Sequence, residues 1–95
     1  LMGITSAAAE YGSMLGDEAL TVSSTAVALT PTASSLAAMV TNGANAVRVR
    51  WGTPTASVGH YLNPYSVLEL FGDDLTDVKF IRVSSDSTVH VTYFG

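Results

Sequence analysis

Ala46-Val47-Arg48-Val49-Arg50-Trp51 and Thr88-Val89-His90-Val91-Thr92-Tyr93-Phe94 alternate apolar and polar side chains with a period of two. Side chains of an extended chain point to opposite faces in turn, so each run predicts a strand with one buried and one wet face. Val47, Val49 and Trp51 fall on the buried side of the first run, with Arg48 and Arg50 opposite. Val89, Val91 and Tyr93 do the same in the second.

The same period holds outward from these runs. Residues 21–30 are rich in β-branched side chains and stop at Pro31, which cannot donate to a sheet. Residues 36–41 are joined to 46–51 by Asn42-Gly43-Ala44-Asn45, and Asn-Gly between alternating runs predicts a hairpin. A turn at 52–57 with Gly59 leads to residues 60–63, then past Pro64 to 66–71, closed by Gly72-Asp73-Asp74. Residues 78–84 and 88–94 are expected to pair across Ser85-Asp86-Ser87. Seven short strands spaced by turn residues describe a sandwich or small barrel.

Residues 1–20 differ. Gly3, Gly12 and Gly16 interrupt the helix formers around Ala7–Glu10 and Met14–Leu20, so a stable independent helix is not expected. The stretch reads as an arm, extended or with a turn of helix. Its Leu1, Met2, Ile4, Tyr11, Met14 and Leu15 are a poor composition for a solvated tail and are candidate anchors on a partner protein. Arg48 and Arg50, on the wet face of their strand, join them as candidate contact residues.

Ninety-five residues support one core. Charged residues make up only 13% of the chain, about half the usual share, and mean hydropathy is +0.34. A surface of Ser, Thr, Ala and Gly suits subunit packing, because few charges must lose their water. The net charge of −4, with four Lys and Arg that look scattered, argues against nucleic acid. No apolar run reaches 18 residues and no basic stretch precedes an apolar one, so neither a membrane span nor a secretory signal is expected.

Chemistry is harder to find. His60 and His90 have no close-spaced partner of metal-ligand type, and Asp73, Asp74 and Asp77 lack the Gly and Glu of a calcium loop. There is no cysteine. No serine sits in a nucleophile elbow, nothing orients His60 toward Ser57, and no cleft is expected to pair Glu69 with the loop aspartates. The chain therefore reads as a non-enzyme without cofactor or metal. Trp51 and Tyr93 continue apolar faces and are expected in the core. Tyr61 and Tyr65, flanking Pro64, are the aromatics expected at the surface.

The run Val47-Arg-Val-Arg-Trp-Gly-Thr-Pro-Thr-Ala-Ser-Val-Gly-His60, with Leu68-Glu-Leu, Val78-Lys-Phe-Ile-Arg-Val83 and Thr88-Val-His-Val-Thr-Tyr93, resembles small structural proteins of tailed-phage virions. The resemblance covers residues 21–95. It implies a capsid cement or decoration protein, or a head accessory subunit, lying on the capsid surface as a homo-oligomer, with a trimer expected. Its partners would be the major capsid protein or other virion subunits. The implied fold is all-β, a single jelly-roll-like β-sandwich over 21–95 behind an N-terminal arm over 1–20. The alternative is a carbohydrate- or receptor-binding module displayed on the particle, using Tyr61, Tyr65 and the turn at 52–59.

Overall fold

The computed structural model describes residues 13–95. It is an all-β sandwich of eight strands: β1 (Met14–Val22), β2 (Val27–Ala28), β3 (Ala37–Thr41), β4 (Val47–Trp51), β5 (His60–Leu62), β6 (Val67–Phe71), β7 (Val78–Arg82) and β8 (Ser87–Phe94). A single 3-10 turn, Leu75–Asp77, precedes β7. One four-stranded sheet, here sheet A, has the order β1-β8-β3-β6, and sheet B has the order β2-β7-β4-β5. Every pairing is antiparallel.

The pairing is nested. β1 lies on β8, β2 on β7, β3 on β6 and β4 on β5, as if one long hairpin had been rolled up. The additional pairs β3·β8 and β4·β7 then complete the two sheets. The period-two pattern supplies the layer between them. Leu20, Val22, Ala38, Val40, Leu70, Val89, Val91 and Tyr93 from sheet A meet Val47, Val49, Leu62, Val78 and Phe80 from sheet B, all buried. Each large apolar side chain buried there contributes about 1.5–3 kcal/mol relative to exposure.

Most strand positions agree with the alternation, but the run 21–30 is not one strand, since 21–22 end β1 in sheet A and 27–28 form β2 in sheet B. Two pairings also differ. β3 and β4 are not a hairpin, since β3 belongs to sheet A and β4 to sheet B. The Asn-Gly segment between them is a corner that carries the chain from one sheet to the other. Gly43 has no left-handed backbone to adopt. It is glycine for lack of room, because a Cβ there would lie 2.6 Å from the Thr88 carbonyl oxygen. Likewise β7 and β8 lie in opposite sheets, and residues 83–86 form a second corner. An antiparallel sandwich has more than one way to join consecutive strands, and a turn residue fits both.

Asn42 holds the first corner. Its side chain is 1% exposed. Nδ2 donates to the carbonyls of Asn45 (2.9 Å), Leu62 (3.2 Å) and Asn63 (3.0 Å). Oδ1 accepts from the Gly43 amide (2.8 Å) and the Ser87 hydroxyl (2.9 Å). One buried amide thus ties together the β3–β4 corner, the end of β5 and the start of β8.

The sandwich also begins earlier than the composition suggests. Residues 14–20, expected as part of an arm, form most of β1 and pair with β8. Leu20 sits in the core, and Glu18 points inward. Residues 1–12, which hold the candidate anchors Leu1, Met2, Ile4 and Tyr11, lie outside the described residues. Deleting residues 1–12 should therefore leave a cooperatively folding domain. Deleting 1–20 removes an edge strand with Leu20 and the Glu18 contacts, and should lower urea-unfolding stability by at least ~3 kcal/mol.

Candidate protein-docking surface

Sheet A has a second apolar surface on the side away from the core. Cross-strand register places Met14, Phe94, Ala37 and Phe71 in one row across all four strands. At about 4.8 Å per strand the row is about 14 Å long. Ala37 and Phe94 are themselves buried, at 0% and 1% exposure, and with the half-buried Met39 form a hydrophobic cluster separate from the core. Met14, Leu36, Val67 and Phe71 around it are 42–57% exposed. The neighbouring rows grow more polar: Asp17, Thr92, Met39 and Glu69, then Ala19, His90, Thr41 and Val67.

Met14 owes its place to a β-bulge. The register slips at Leu15, between Met14 and Gly16, so the extra residue turns Met14 outward beside Phe94. Without it, Met14 would share the inner face with Gly16, Glu18 and Leu20. The chain enters this row at Ser13, whose carbonyl accepts from the Gly95 amide at 3.0 Å.

The inner side of β1 carries a polar clamp that no local sequence pattern marks. The Glu18 carboxylate accepts hydrogen bonds from the Tyr93 hydroxyl, the Thr30 hydroxyl and the Thr30 amide, the last at 2.9 Å. It joins β1, β8 and the segment after β2. An inward charge on an edge strand also discourages edge-to-edge pairing. Burial, followed by the hydrogen bond and charge of Glu18, pushes the Tyr93 phenol well above its ordinary value of 10.0. The contribution to stability is complete below that value. Above it the unfolded chain releases the Tyr93 proton while the folded chain keeps it, so stability falls as pH rises. Urea unfolding between pH 9 and 11 should show that decline, and Tyr93→Phe should make it shallower.

The other singled-out residues fall into separate places. Arg48 is used internally: Nε donates to the Ala56 carbonyl (3.1 Å) and Nη1 to that of Gly59 (3.0 Å). Its guanidinium lies 5.2 Å from the centroid of the Tyr61 ring. It fixes the β4–β5 loop. Arg50 is exposed. Tyr65, 72% exposed, stands at a left-handed corner with φ 61°, while Tyr61 is 44% exposed on β5. Neither borders the recess beside Trp51.

Trp51 is not in the core. It is 44% exposed, because β5 stops pairing at Val49–His60 and leaves the end of β4 uncovered. Its ring borders a shallow, mostly apolar recess of about 210 Å³ lined by Val49, Arg50, His60, Leu68 and Leu70. His60 lies in sheet B and His90 on the outer face of sheet A, apart from each other and from the Asp73–Asp77 loop. Among the described residues no three His, Asp or Glu side chains are grouped as metal ligands. No protein-family model, curated protein or solved structure matches the chain.

Proposed function

We propose that this chain is a structural subunit of a tailed-phage virion that binds the capsid surface as a cement or decoration protein. The observation that carries the reading is the apolar outer row of sheet A. A sandwich needs apolar residues only between its sheets, and this one has a further cluster at Ala37, Met39 and Phe94 with exposed Met14, Leu36 and Val67 around it. Contiguous apolar surface of that kind marks contact with another protein.

Two further features support it. The nested pairing of β1–β4 with β8–β5 supports reading the sandwich as jelly-roll-like, an architecture used in capsid proteins. The row alone is small beside the roughly 800 Å² per partner of a stable interface. Leu1, Met2, Ile4 and Tyr11, which precede Ser13 in the sequence, add further apolar anchors in this reading. In this reading the protein acts by binding, and catalyses nothing. The test is to add purified protein to capsids that lack it and to follow their thermal disruption. Saturable binding with a raised disruption temperature supports the reading, and no binding removes it.

A further inference from the structure

The cations of this acidic chain are not scattered. None of the four strands of sheet B contains an Asp or Glu, yet three of the chain's four Lys and Arg residues lie on their outer side: Arg48, Arg50 and Lys79. Arg48 is occupied by the β4–β5 loop. Arg50 and Lys79 are direct cross-strand neighbours, a like-charge arrangement that disfavours the sheet. Among the described residues Lys79 donates to the Thr53 hydroxyl, at 3.4 Å.

The counter-charges stand beside them. Asp73, Asp74 and Asp77, all exposed, lie on the link into β7. That link is tied to the end of β4 by the Gly52 amide, which donates to the Asp77 carbonyl at 2.8 Å. Even so, none of the three pairs with Arg50 or Lys79. The ion pair found among the described residues is Arg82–Asp86, at 2.6 Å. Exposed Trp51 follows Arg50 in β4 and stands opposite Val78, whose chain neighbours are Asp77 and Lys79.

A basic pair, an aromatic anchor and an acidic loop at one end of a molecule form a self-complementary patch. We propose that two copies of this chain pair there about a two-fold axis. Each copy then sets Asp73, Asp74 and Asp77 against the partner copy's basic pair, and the two Trp51 rings are buried between them. An isologous contact requires such reciprocity, with each patch meeting its own complement. A central aromatic within a charged rim is the usual anatomy of a protein interface.

The proposal is separate from docking through sheet A. A monomer that binds capsids would remove only the pairing, and a dimer that does not bind them would remove only the docking. Sedimentation equilibrium of the full chain should show a two-copy species that weakens at least tenfold between 50 and 500 mM salt. Trp51 is the only tryptophan, so its emission should shift to the blue as the dimer forms. The double variant R50E/K79E and the triple variant D73K/D74K/D77K should each be monomeric. Mixed one to one, they should form a dimer. A wild-type chain that stays monomeric, variants that dimerise unaided, or an assembly of three or more copies would overturn the proposal. If either variant fails to fold by circular dichroism, the salt dependence and Trp51 emission of the wild-type chain decide. A Trp51 response to an acidic polymer such as polyglutamate without self-association would also overturn it.

Discussion

Replacing Asn42 with alanine should cost the domain roughly 3 kcal/mol or more of unfolding free energy, the largest effect expected of any single polar substitution here. The substitution leaves three carbonyls, at Asn45, Leu62 and Asn63, without their donor. It also takes the acceptor from the Gly43 amide and the Ser87 hydroxyl. A buried polar group left unpaired costs about 1–3 kcal/mol, and water reaching the new cavity would recover part of that. Asn42→Asp is the sharper companion. It keeps the shape and the acceptor but loses the Nδ2 donor and buries a carboxylate facing three carbonyl oxygens. It should be at least as damaging at neutral pH and partly relieved in acid, where the protonated carboxyl can donate. Chemical denaturation of both variants at pH 7 and pH 4 checks this. Equal loss at both pH values for Asn42→Asp would mean that the carbonyls do not depend on that donor.

The second large effect is on binding. Met14→Glu and Leu36→Glu each place a charge at the rim of the apolar row on the outer face of sheet A. Both positions are more than 40% exposed, so the fold should lose less than about 1 kcal/mol. A charge desolvated against an apolar partner without a counter-ion costs several kcal/mol. The pair of substitutions should therefore weaken capsid binding at least 100-fold while leaving the thermal unfolding of the free protein nearly unchanged. Pull-down with intact capsids, alongside calorimetry of the free variants, separates the two quantities. A matched pair at the polar end, Thr21→Glu and Thr88→Glu, should bind as the wild-type protein does.

The alternation of Val47, Val49, Val89, Val91 and Tyr93 told strand from helix and inside from outside, because a period of two is a local property of the chain. Which strands pair is not local. Asn42-Gly43 carries the same signal whether it turns within one sheet or crosses between two. Only the close approach to Thr88, 45 residues away in sequence, decides that Gly43 serves the second purpose. Trp51 misleads for a related reason. Its place in the alternation is that of a core residue, but coverage depends on where β5 stops pairing. The Glu18–Tyr93 contact spans 75 positions, and no spacing rule marks it. On the candidate face, Met14 was legible as a surplus apolar residue. Its alignment with Phe94, Ala37 and Phe71 depends on the Leu15 bulge, which no sequence pattern announced.

The most direct test of the docking account is a cryo-electron microscopy reconstruction of capsids saturated with this protein. The account predicts that the outer face of sheet A, with Met14, Leu36, Met39 and Val67, packs on the shell while sheet B is turned away from it. A reconstruction in which that face looks into solvent, with the shell held through sheet B or the strand edges, would contradict it.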